Sequence, residues 1–129
     1  MSITADKPRI LVVEEEPEVL ATMLYLLKRT GCEVVGAKTG AEGMQRILTG
    51  EFDLITLDID LPDTNGLELC RLLKQDRNLC RIPVIFVSGR VSDGNREGCL
   101  ELGAADYIVK PFDALVFIAR IFLQLKSAT

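Results

Sequence analysis

Five short runs dominated by Val, Ile and Leu recur along the chain, and each is followed by a stretch with helical spacing. The runs are Arg9 to Val13, Cys32 to Ala37, Leu54 to Asp58, Val84 to Val87 and Tyr107 to Val109. Their apolar character is nearly continuous, which suits parallel strands buried on both faces. Helices are expected from Pro17 to about Thr30, Ala41 to Thr49, Leu67 to Lys74, Asn95 to Leu102 and Asp113 to Lys126. Pro17 suits an early helical position, and Gly31 and Gly50 suit helix ends. Gly94 and Gly98 weaken the fourth helix. Strict β-α alternation implies an α/β fold, a doubly wound five-stranded parallel sheet with helices on both faces. Right-handed crossovers and short loops favour the strand order 2-1-3-4-5.

The 129 residues suffice for one domain with a real core and are too few for two. Residues 1–8 read as an N-terminal tail and 9–126 as the domain. A net charge of −4 without a Lys/Arg cluster argues against direct nucleic-acid binding. No apolar leader follows Met1-Ser2-Ile3-Thr4-Ala5-Asp6, so secretion is not expected. The longest apolar stretch, Ala114 to Ile121, is interrupted by Arg120 and falls far short of the roughly 20 residues that a membrane span needs. A cytoplasmic chain without membrane contact is expected. Cys32, Cys70, Cys80 and Cys99 form no C-x-x-C pair and read as small apolar side chains in a reducing compartment. The chain contains no His. It therefore has no His base, nucleophile or phosphohistidine of its own.

Chemistry concentrates at strand ends. Asp58 closes the third run and opens into Ile59-Asp60-Leu61-Pro62-Asp63-Thr64-Asn65-Gly66. An acidic cluster, Glu14-Glu15-Glu16, follows the first run, and Lys110 precedes Pro111 after the fifth. Open α/β sheets bind their ligands at the C-terminal ends of the strands. Acids, a candidate nucleophilic Asp and a Lys on separate strand ends suggest metal-assisted phosphoryl chemistry.

Four motifs carry a resemblance. Ile10-Leu11-Val12-Val13-Glu14-Glu15-Glu16-Pro17, Asp58 with Leu61-Pro62-x-x-x-Gly66, Pro83-Val84-Ile85-Phe86-Val87-Ser88-Gly89, and Gly103-Ala104-Ala105-Asp106-Tyr107-Ile108-Val109-Lys110-Pro111-Phe112 stand in order, each at a strand end. Together they resemble the receiver domain of two-component response regulators over about residues 9 to 126. The resemblance implies a flavodoxin-like fold and a signalling domain rather than an enzyme with a separate substrate. Asp58 would accept a phosphoryl group from a phosphohistidine on a histidine kinase or phosphotransfer protein, a role for which a carboxylate is a competent nucleophile. Mg²⁺, or Mn²⁺, would be held by Glu15 directly, by Glu14 through water, by Asp58 and by the Asp60 carbonyl. Lys110 would bind the phosphoryl oxygens, and its bond to Pro111 would be cis. Ser88 would hydrogen-bond the phosphoryl group, with Gly89 leaving room for it. Ser88 and Tyr107 would be the switch residues, and Asp60 and Arg90 would flank the phosphoryl group.

The acidic pair of the family is usually Asp-Asp or one Asp with one Glu, whereas Glu14-Glu15 adds a methylene to each arm. An alternative is therefore a degenerate receiver that binds partners independently of phosphorylation. A second alternative takes Asp58-x-Asp60 as the nucleophile motif of haloacid-dehalogenase-type phosphatases. That motif normally lies on the first strand and has Thr or Val where Pro62 stands. The final helix is apolar nearly all round. Ala114, Phe117, Ile118, Ile121 and Leu125 share the face expected to cover the sheet. Val116 and Leu123 fall on the far side with Phe122 on a flank, so an output surface is expected at Tyr107, Val116, Phe122 and Leu123. The resemblance points the same way: it implies output through helix 4, strand 5 and helix 5, here toward a homodimer or a helical partner.

Overall fold

The computed structural model describes residues 7–89 and 93–127. The expected tail, apart from its last two residues, and Arg90 lie outside the described residues. Each apolar run forms a strand: β1 (Arg9–Val13), β2 (Glu33–Ala37), β3 (Leu54–Leu57), β4 (Val84–Ser88) and β5 (Asp106–Val109). All neighbours pair in parallel, in the order β2-β1-β3-β4-β5. The crossovers are α1 (Pro17–Arg29), α2 (Gly40–Thr49), α3 (Gly66–Gln75) and α4 (Asp93–Glu101), and α5 (Ala114–Ser127) closes the fold.

The helix starts follow local chemistry. Pro17 opens α1, where its missing N–H costs nothing, and Gly31 ends that helix at φ 95°, a conformation that glycine adopts without a Cβ penalty. Thr39 caps α2 by accepting the Glu42 N–H at 3.0 Å. Asn65 caps α3 by accepting the Leu67 N–H at 2.7 Å. These caps set α2 and α3 one residue earlier than the apolar periodicity suggests. Helix α4 starts two residues before Asn95, despite its glycines. Cys99 on α4 is fully buried and fastens it to the sheet.

Successive strand residues face opposite layers, so the sheet carries two cores. Leu11, Val13, Ile55, Leu57, Phe86 and Tyr107 pack against Ile47 of α2, Leu69, Cys70 and Leu73 of α3 and Cys99 of α4. Ile10, Val12, Leu54, Ile85, Val87 and Ile108 pack against Leu20, Met23 and Leu27 of α1 and Phe117 and Ile121 of α5. Cys32, Cys70 and Cys99 are buried as expected, while Cys80 is exposed. Burial pushes the Cys70 thiol up and the Cys99 thiol to about 11, so neither is reactive at neutral pH.

On α5, Phe117 and Ile121 are fully buried, and Ile118 and Leu125 are half-buried against the same core. Ala114 does not join them: it begins the helix and is exposed. Val116 and Leu123 are exposed, as the far-side reading required. Phe122 instead turns partly into the α1/α5 core, where burial of its ring is favourable. No described helix is long and apolar enough to cross a membrane.

Candidate functional site

The parallel register brings the C-terminal ends of β1, β3, β4 and β5 to one edge of the sheet. Val13 stands level with Leu57, Leu57 with Phe86, and Ser88 with Val109. The next residues are fixed by backbone bonds: Glu14 N–H to the Ala37 carbonyl at 2.9 Å, Asp58 N–H to Val13 at 3.1 Å and Lys110 N–H to Ser88 at 2.8 Å. Side chains from three strand ends therefore meet in one place although up to 96 residues separate them in sequence.

Lys110 is the hub. Its Nζ donates to Glu14 Oε2 at 3.0 Å, to Glu16 Oε1 at 3.0 Å and to Asp58 Oδ2 at 3.1 Å. The peptide bond from Lys110 to Pro111 is cis, as the resemblance implied. Burial alone would lower the Lys110 pKa. Its bonds to Glu14 and Glu16 and the charge of Asp58 outweigh that and raise it, so the ammonium stays protonated at physiological pH.

The three carboxylates differ in setting. Glu14 is 1% exposed and Asp58 4%. Glu14 Oε2 also accepts the Glu16 N–H at 3.0 Å. Burial pushes the Glu14 carboxyl up to about 7, although that N–H and Lys110 both oppose the rise. Asp58 Oδ1 accepts the Asp60 N–H at 3.2 Å, which ties the carboxylate to its own loop. Glu16 is exposed, and its side chain reaches Lys110 rather than capping α1.

Oxygens of Glu14, Glu16 and Asp58 all lie within 4.8 Å of one another. Glu15, the expected direct ligand, is exposed and stands outside this group. The backbone explains the difference. The chain bends at Glu15 and is still non-helical at Glu16 (φ −75°, ψ 116°), so Glu16 stands outside α1 with its side chain against Lys110 while the Glu15 side chain stays exposed. The signal in the sequence was Pro17, which delays the helix until after Glu16.

The donor set fits a hard divalent cation. Glu14 Oε1 is buried and lies 3.0 Å from Lys110 Nζ, yet no hydrogen bond satisfies it. A magnesium-sized ion prefers such carboxylate oxygens and keeps several waters, which the exposed side of the cluster can supply.

The remaining predicted residues sit around this centre. Ser88 ends β4, fully buried, and a Cβ placed on Gly89 would meet nothing within 4 Å, so open space adjoins it. Tyr107 is 2% exposed and belongs to the core under α4 rather than to the surface. Above it, Arg96, Val109, Phe112, Val116 and Arg120 help line a groove of about 320 Å³. Asp60 is exposed and bridges to Asn65 across the loop.

Comparison with known proteins agrees with this geometry. The response regulator receiver domain family matches residues 10–122. A probable transcriptional regulatory protein of Picosynechococcus sp. is 40% identical over 88% of this chain and 47% of its own length. The alkaline phosphatase synthesis transcriptional regulatory protein PhoP of Bacillus subtilis is 34% identical over 88% of this chain and 46% of its own. The chain thus spans about half the length of these curated relatives. Among solved structures, a CheY-like response regulator receiver domain protein from Methanospirillum hungatei superposes with a TM-score of 0.89 at 32% identity, covering 95% of this chain and 97% of that one. A family match that spans all five strands, on a fold whose acids and lysine converge at the strand ends, shows that the chain belongs to the response regulator receiver domains, signalling modules activated by phosphorylation.

Proposed function

We propose that Asp58 is the phosphoacceptor of this receiver. The observation that carries the reading is the contact between Lys110 Nζ and Asp58 Oδ2 at 3.1 Å, inside a pocket of buried acids. A carboxylate oxygen of Asp58 attacks phosphorus, and the bond from phosphorus to the imidazole nitrogen of a partner's phosphohistidine breaks. The electron pair leaves with the imidazole. The phosphohistidine belongs to a histidine kinase or phosphotransfer protein, since the 129 residues contain no His. Lys110 exchanges contacts with Glu14 and Glu16 for the arriving phosphoryl oxygens, supplying positive charge where negative charge gathers. The Ser88 hydroxyl donates a hydrogen bond to the same group, and the open space at Gly89 admits it. Glu14 and Asp58, with the Asp60 carbonyl, are the residues proposed to hold Mg²⁺ or Mn²⁺; Glu15 and Glu16 add carboxylates from the exposed side. When bound, the cation offsets negative charge on the phosphoryl group.

The output is proposed to leave through α4, β5 and α5. Ser88 lies beside β5, Tyr107 is buried in β5, and Val109, Val116 and Leu123 present apolar surface above it. A homodimer or a helical partner docked there would respond to a rearrangement of Ser88 and Tyr107.

Incubation with Mg²⁺ and acetyl phosphate, followed by intact-mass measurement, tests the acceptor. One phosphoryl adduct is expected on the wild type and none on Asp58→Asn. A wild type without an adduct would favour the phosphorylation-independent reading that the Glu14-Glu15 pair motivates. Labelling that persists in Asp58→Asn would assign the acceptor to another residue.

A further inference from the structure

Asp63 lies in the loop between β3 and α3, and its carboxylate reaches across to α2. One oxygen accepts the N–H of Gly40 at 2.8 Å and the other the N–H of Ala41 at 2.9 Å. These groups belong to the first turn of α2, where N–H groups have no partner within the helix. Thr39 already caps the same turn from within the local sequence. The start of α2 therefore holds two caps, one local and one reaching back 22 to 23 residues.

The second cap comes with close packing. A Cβ on Gly40 would stand 2.3 Å from Thr64 Cγ2, so helix and loop touch at the backbone of residue 40. Helix α2 is a firm anchor: Gly43 lies against Val13, with 3.0 Å between a Cβ built there and Val13 Cγ2, and Ile47 is buried. At its far end the loop is closed by the Gly66 N–H to the Ile59 carbonyl at 2.7 Å and by the Asp60–Asn65 bridge. At its near end, the Asp60 N–H holds Asp58 Oδ1.

We propose that Asp63 is a positioning residue whose two-bond clamp on α2 fixes the loop, so that the Asp60 amide holds the Asp58 carboxylate in the orientation that a cation and a phosphoryl group require. This rests on the reading of Asp58 given above. The local cap at Thr39 bonds within α2, to the Glu42 N–H, and so separates a positioning role from a merely structural one. The Asp63 carboxyl is held below the usual carboxylate range by the Gly40 and Ala41 N–H groups, so the clamp persists throughout the neutral range.

The test compares wild type, Asp63→Ala, Asp63→Asn and Thr39→Ala by Mn²⁺ titration and by amide hydrogen exchange without metal. Asp63→Ala is expected to weaken Mn²⁺ binding about tenfold, as loss of outer-shell support does, and to speed exchange at the Asp60 amide. Asp63→Asn keeps one acceptor oxygen and should recover part of both. Thr39→Ala should lower the melting temperature while leaving Mn²⁺ affinity and Asp60 exchange at wild-type values. The proposal is overturned if Asp63→Ala and Thr39→Ala lose stability alike and neither changes affinity or Asp60 exchange. Should Asp63→Ala fail to fold, Asp63→Asn against Thr39→Ala decides by the same two readouts. A wild type that takes up no Mn²⁺ would overturn the cation reading of the site, and Asp60 exchange would still decide the clamp.

Discussion

Gly66 and Asp58 are in backbone contact: a Cβ built on Gly66 would lie 2.0 Å from the Asp58 carbonyl oxygen. The first residue of α3 thus packs directly on the peptide that follows the proposed acceptor. Gly66→Ala has to push one of them away. We predict a loss of about 1–3 kcal/mol in stability, the usual cost of overpacking, together with slower phosphorylation by acetyl phosphate. Chemical denaturation and intact-mass time courses would measure the two. Wild-type values for both would mean that the loop yields freely.

Glu14 gives the site a pH signature. Its folded value of about 7 stands above the ordinary 4.5, so the folded chain keeps this proton longer than the unfolded one. Its contribution to stability is therefore lost as pH rises from about 4.5 to about 7. Glu14→Gln should flatten that slope and stabilise the metal-free protein at pH 8 by about 1–2 kcal/mol. Mg²⁺ affinity of the wild type should rise over pH 6 to 8 as Glu14 ionises, roughly tenfold for one proton released per ion bound. Melting curves and Mg²⁺ titrations across pH check both; a pH-independent wild-type affinity would contradict the role given to Glu14.

Thr56 carries a buried hydroxyl without a hydrogen bond, between Val12 and Ile85 in register and two residues before Asp58. Thr56→Val keeps the shape and removes the unsatisfied oxygen. A gain of about 1 kcal/mol is expected in urea denaturation, with Asp58 labelling unchanged. A loss of stability would show that the hydroxyl is satisfied in solution.

The exposed apolar residues of α5 invite self-association. Val116 and Leu123 are 49% and 59% exposed, more than a surface helix needs for packing. We predict a concentration-dependent dimer in sedimentation at high micromolar protein that Val116→Glu/Leu123→Glu abolishes. A wild type that stays monomeric would leave this face to a different partner.

Much of this architecture is legible in the sequence, because strand burial on two faces leaves an unmistakable apolar run and each reactive residue terminates one. Asp58 and Lys110 are found that way. Glu16 is not, since three consecutive glutamates are chemically alike and only the path of the backbone between β1 and Pro17 distinguishes the second from the third. Asp63 was equally hidden: its partners are backbone groups on another helix, and backbone donors have no letter in a sequence. Ala114 shares the angular position of Phe117 and Ile121, but at the first turn of α5 it stays exposed, which periodicity does not encode. Phe122 shows the same gap, because its ring is long enough to turn inward from a flank of the helix that spacing leaves off the buried face.

The root of Lys110 is fastened while its tip is shared. Its backbone N–H is pinned to Ser88, yet its ammonium divides itself among three acids. Such an arm behaves as a compass needle on a fixed pivot: it turns toward the greatest negative charge within its sweep. If Asp58 is the acceptor proposed above, its phosphorylation changes that bearing, and the pivot lies on the seam between β4 and β5, where the change can be read mechanically.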